Sequence, residues 1–219
     1  STGMLLFVLA CGLAVTLGLM NFVNLAHGAF AMAGGYVTVI AMQRFGVPFL
    51  ATLPLAFLIT AAVGLVLERT LYVHMYGRAH LDQVLFSIGL VFMSMAGMDW
   101  FMGSSAQNII LPAELKGRFD LWGIGIGRYR LFLLVVCGIL AVALQMILSK
   151  TRFGSRLRAA VDDQRVARGL GIGVQTIFAL TFAVGSGLAG LGGALGAEIL
   201  GLDPSFPVKY MIFFLIVVT

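Results

Sequence analysis

The chain has 219 residues, of which 60% are hydrophobic and 11% charged, with a mean hydropathy of +1.04 and a formal net charge of +5. Soluble domains run about 45–50% apolar and about 25% charged, so this balance excludes an ordinary soluble enzyme, a disordered segment and a nucleic-acid-binding module. The positive balance instead reports how a few charges are distributed around a bilayer.

A helix needs about 20 apolar residues to cross the hydrocarbon core, so charge-free runs locate the spans. Ser1 to Gln43 carries no Lys, Arg, Asp or Glu. That is too long for one span and predicts two, at about 4–20 and 28–43, separated by an uncharged interruption from Asn21 to His27. Further spans are predicted at about 50–73, 84–102, 131–149 and 175–197. An apolar run at 209–219 covers only about half a crossing. The expected fold class is all-α, a polytopic transmembrane helical bundle with broken helices. It forms one membrane domain over 1–219, read as truncated at its C-terminus. Six of the fourteen basic residues lie between Lys150 and Arg168, which places the loop 150–174 on the cytoplasmic side.

Three segments carry information. In the first, Asn21-Phe-Val-Asn-Leu-Ala-His27-Gly28, the polar residues Asn21, Asn24 and His27 recur every three positions and would share about a third of a helix's circumference. Polar groups at this depth need partners or water. Gly28, Gly34 and Gly35 follow, with Ala29, Ala31 and Ala33. Two readings stay open: a packing seam with cross-helix hydrogen bonds, or a broken helix lining a translocation path.

Between 103 and 130 runs a connection long enough for a small external helix or hairpin, and Asp99 just before it reads as interfacial. The second segment, Thr151 to Ile172, is the long hydrophilic stretch between two strong spans. Ser155 or a neighbour is expected to cap a helix through Val161. Asp162-Asp163 is expected to stop that helix and cap a shorter one over 164–170. The segment suits either a helix lying on anionic lipid or a docking element for a cytosolic partner. The third segment, Gly185 to Gly196, holds small-xxx-small pairs such as Gly192/Gly196 and Ala189/Gly193. It leads into Glu198 and the proline-interrupted Asp203-Pro-Ser-Phe-Pro207. A broken, glycine-rich element thus stands near each end of the chain, a pattern that points to a midplane path. No phosphate loop, nucleophile elbow, paired carboxylates or metal-ligand spacing occurs, so no catalytic or metal residue is assigned.

Asn21 to Tyr36 resembles the N-terminal signature of the LivH-type permeases of ATP-binding-cassette importers for branched-chain amino acids. Thr151 to Ile172 resembles that family's cytoplasmic coupling loop, and Ala179 to Gly193 the helix after it. The resemblance implies a permease subunit with no cofactor of its own, ATP being bound by partner subunits. The implied partners are a LivM-type second permease, two cytosolic ATPases, an external substrate-binding protein and membrane lipid, in the inner membrane. It also implies that Asp162, Asp163, Ala167, Leu170, Gly171 and Ile172 touch the ATPase, with Arg158 and Arg165 steering the dock. Asn21, Asn24, His27 and Gly28 are the expected pathway residues. Branched-chain amino acids are the default substrate, and the alternative function is an ATP-independent channel or carrier for a small polar solute such as urea or an amide.

Overall fold

A computed structural model describes residues 24–107, 109, 112, 115, 117–121 and 124–218, together with residues 3, 6, 7 and 14. Most of the first predicted span, and Asn21 with it, lies outside the described residues. Eight helices are described: α1 His27–Phe45, α2 Phe49–Thr70, α3 His80–Met102, α4 Arg128–Lys150, α5 Arg152–Asp162, α6 Gln164–Gly169, α7 Val174–Leu200 and α8 Phe206–Val218. Four of them (α2, α3, α4 and α7) are long and apolar enough to cross a membrane. The 103–130 connection forms a hairpin, with β1 Arg118–Leu121 paired antiparallel to β2 Ile124–Gly127. It stands outside an otherwise helical bundle.

The bundle is organised around α7. Of its most apolar window 89% is buried, against 28% for α2 and 11% each for α3 and α4. Glycine makes this possible. A Cβ on Gly193 would collide with the Ala31 carbonyl of α1, and one on Gly34 with the Gly190 backbone. A Cβ on Gly190 would strike Thr60 of α2, and one on Gly64 would strike Ser186. The sequence marks Gly192/Gly196 and Ala189/Gly193 as contact pairs. Gly193 of these is seated against a neighbouring helix, and Gly187 and Gly190 join it at three-residue spacing, because α1 and α2 both press on that one face.

The hydroxyls in this seam do not reach across it. Thr60 Oγ1 donates to the Ala56 carbonyl at 2.6 Å, Ser186 Oγ to Phe182 at 2.9 Å and Thr181 Oγ1 to Ile177 at 2.7 Å. Each bonds back into its own helix, which satisfies a buried polar group without a partner element. Phe182 fills the end of the seam, with its ring centroid 5.8 Å from Phe30 and 4.5 Å from Tyr72.

Candidate functional site: a broken-helix junction and a capped surface hairpin

The junction begins at Asn24. Its Oδ1 accepts the Ala26 N–H at 3.1 Å and the Tyr72 hydroxyl at 3.0 Å. The first bond closes an Asx turn, so Asn24 lies ahead of the helix and α1 starts at His27. Asn24 thus lies within the interruption expected from Asn21 to His27, where its side chain competes with helical hydrogen bonding. Asn24 and His27 are both buried. Asn24 Nδ2 and both ring nitrogens of His27 find no hydrogen-bond partner among the described residues. Buried polar atoms are rarely left in this state, and here three fall within four residues of sequence.

Next to them, the two interrupted elements meet. Gly28 lies against Pro207, whose Cα stands 3.0 Å from where a Cβ of Gly28 would be, and Gly35 lies against Leu202. Gln107 N donates to the Leu202 carbonyl at 2.7 Å, tying the outer connection to the same segment. Asp203 shapes the turn. Its Oδ1 accepts Ser205 N at 2.9 Å and Ser205 Oγ at 2.5 Å, while Oδ2 pairs with Lys209. Partial burial raises its carboxyl pKa, but the Lys209 and Ser205 hydrogen bonds outweigh this and hold it below the usual carboxylate value.

Sequence reasoning missed a second buried polar group. Glu68, at the end of α2, is buried; its Oε1 accepts the Tyr76 hydroxyl at 2.8 Å, while Arg69 Nε stands 3.9 Å from Oε2. Burial first, and then the neighbouring Glu68, push the Tyr76 phenol far up, so it remains a donor. Gln83 donates to the Met75 carbonyl at 3.2 Å and pins the α2–α3 turn. The available signal was the four-residue spacing of Glu68, Tyr72 and Tyr76, one polar stripe continuing an apolar helix.

The hydrophilic stretch folds into a hairpin of two short helices. Thr151, four residues before the expected Ser155, caps α5 by accepting the Gly154 N–H at 3.3 Å. Gly154 is required because a Cβ there would collide with the Leu148 carbonyl of α4. Leu157 and Ala160 complete the buried face of α5. Asp162 ends α5. Asp163 caps α6, its Oδ1 accepting Arg165 N at 2.8 Å and Val166 N at 3.0 Å. The hairpin closes with Gly171 in the left-handed region at φ 77°. Gly171 N donates to Arg168 O and Ile172 N to Ala167 O, both at 3.0 Å, the pair of bonds of a Schellman motif.

The expected contact residues divide. Leu170 is an exposed apolar side chain, 73% accessible, as is its neighbour Val166 outside the expected set, and Asp162, Arg165 and Gly171 are also exposed. Ile172 is half-buried. Ala167, also in the expected set, is buried and anchors α6. Arg158 turns back to donate to the Leu148 carbonyl at the end of α4, so that nitrogen caps a helix terminus. A groove lined by Phe153, Arg156, Leu170, Ile172 and Ile177 runs beside this surface. Among the described residues no group of His, Cys, Asp or Glu could hold a metal ion.

Apolar crossing helices, a broken-helix junction within them and a capped hairpin at one end define a polytopic membrane protein. The chain belongs to the family described as the permease component of branched-chain amino acid transport systems, whose model matches residues 1–219. It is 28% identical over 210 residues to the high-affinity branched-chain amino acid permease protein BraD of Pseudomonas aeruginosa, covering 90% of this chain and 66% of the relative. It is 29% identical over 200 residues to the probable permease LivH of Methanocaldococcus jannaschii, covering 87% and 62%. To LivH of Escherichia coli it is 25% identical over 208 residues, covering 89% and 67%. The chain therefore spans about two thirds of the length of the curated relatives it matches. No solved structure matches it significantly.

Proposed function

We propose that the chain is the membrane-spanning part of a permease subunit in an ATP-driven importer for branched-chain or related hydrophobic amino acids, in the inner membrane. The observation that carries this reading is the exposed Val166–Leu170 surface on a hairpin fixed at both ends, by Thr151 on α4 and by the Gly171 turn leading into α7. Because α7 is the packed axis of the bundle, a push on the hairpin is delivered to the helix that touches α1 and α2. Two cytosolic ATPases bind ATP and close on this surface. A LivM-type second permease completes the path, and an external binding protein delivers substrate. Coupling of this kind requires hairpin contacts that differ between the two access states. Asn24, His27 and Gly28, with Asn21 before them, stand at the path, where unpartnered polar atoms meet a passing zwitterion without a fixed charge to trap it.

The test is labelled leucine uptake by the full importer in proteoliposomes. ATP-dependent uptake is expected, abolished by Leu170→Glu with the protein still in the membrane. Leu170 is the cleaner target than Gly171, whose substitution also strains the turn. Uptake that proceeds without ATP overturns the reading in favour of a channel or carrier.

A further inference from the structure

At the end of α7 away from the hairpin, α3 and the 203–205 turn flank an open cavity of about 520 Å³. This size suits a small-molecule site. Its walls are of two kinds. Phe92, Met95 and Ala96 present an apolar surface from one face of α3, and Asp99 follows on the same face one turn on. Opposite stand Ser104, Asp203 and Ser205. The two carboxylates are not equivalent. Asp203 is neutralised by Lys209 and committed to Ser205. The Asp99 side chain has no hydrogen bond or ion pair among the described residues, and α3 carries no basic residue in its last turn. Among the described residues the Asp99 carboxylate is therefore left without a compensating charge beside an apolar wall, with Ser104 across from it.

We propose that this cavity is the outer subsite for the transported amino acid, with the Asp99 carboxylate pairing the α-ammonium, the Phe92–Met95–Ala96 wall taking the aliphatic side chain and the Ser104 hydroxyl facing the α-carboxylate. The inference rests on the importer reading above and adds a site to it. The proline-interrupted turn that forms one wall also reaches Gly28 through Pro207, so the subsite lies beside the junction of the two broken elements. A single ammonium–carboxylate contact at an open cavity is partly screened, which suits a site that must release its cargo inward.

The experiment uses the full importer in proteoliposomes with saturating leucine-loaded binding protein and ATP, reading initial leucine uptake. Asp99→Asn is expected to lower uptake by about tenfold, the scale of losing a charge-assisted hydrogen bond. Asp99→Glu is expected to stay within about threefold of the parent, since it keeps the charge. Ala96→Trp, which fills the apolar wall, is expected to reduce uptake as strongly as Asp99→Asn. Parent-like uptake by Asp99→Asn or by Ala96→Trp overturns the subsite, as does an Asp99→Glu variant as impaired as Asp99→Asn. Absence of ATP-driven leucine uptake by the parent importer overturns the importer reading itself, so the two failures are told apart.

Discussion

The α1–α2–α7 seam and the α3/α4 pair are built from similar residues and reach opposite ends. Both are apolar and both contain glycine, yet α7 buries nearly all of its apolar window while α3 and α4 bury about a tenth of theirs. Gly190 and Gly193 of α7 sit against neighbouring helices. Gly89 and Gly97 of α3 and Gly138 of α4 have nothing within 4 Å of an added Cβ. Leu131, Leu134, Ile139 and Val142 of α4 point outward, as a lipid-facing or subunit-facing surface requires. In a bilayer, apolar character does not decide which helices associate, because lipid is as apolar as leucine; close backbone approach does.

That contrast breaks most sharply at Gly193. Gly193→Val is expected to destabilise the bundle by about 3 kcal/mol, the upper end for overpacking, because its neighbour is backbone that cannot rotate away. Gly138→Val in α4 is expected to leave stability nearly unchanged. Thermal unfolding of the two purified variants in detergent compares them, and equal losses would dissolve the distinction. A glycine used for conformation instead of proximity gives a smaller effect. Gly171→Ala is expected to cost about 1–2 kcal/mol locally, since its φ of 77° lies where a Cβ clashes with the backbone. Faster hydrogen exchange confined to α6 and the start of α7 would register it. Smaller still, and opposite in sign, Gly138→Ala is expected to raise stability by about 0.5–1 kcal/mol through helix propensity. A lower unfolding temperature would show that this face is packed.

The smallest effect concerns the Asp203–Lys209 pair beside the junction. The native Asp203 carboxyl sits below its unfolded value, so its stabilisation is present above the ordinary carboxylate pKa and is lost as pH falls through the lowered native one. Asp203→Asn is expected to remove that acid-limb sensitivity and to cost less than about 1 kcal/mol at neutral pH, as for a largely exposed ion pair. Unfolding measured against pH, parent beside variant, checks it.

Much of this was legible in the chain. The Asp163 cap was readable because a pair of aspartates after a basic amphipathic run has few other uses, and the structure has Asp163 accepting two N–H groups at the start of α6. The small-residue character of α7 was equally plain, but the contact register was not, because register depends on the angle at which α1 and α2 cross it. Thr151 was overlooked as a cap because it looked like the end of the preceding span, and it serves both helices: its hydroxyl also donates to Ile147 O. Glu68 was given no role in the sequence and proved buried, its carboxylate held by the Tyr76 hydroxyl beside the folded-back α2–α3 turn.

By itself the sequence determined what one dimension can encode. It fixed the membrane setting through hydropathy, the helical class through run length, the amphipathic hairpin through its charge pattern, and the family through motifs in order. The tertiary structure alone decided which of these local features meet. Gly28 and Pro207 are 179 residues apart in the chain and pack together. The Asp99 and Asp203 carboxylates line one cavity, yet among the described residues only Asp203 has an ion-pair partner. The physical reason is that burial, charge compensation and close approach are properties of pairs, and long-range pairs are set by how helices cross.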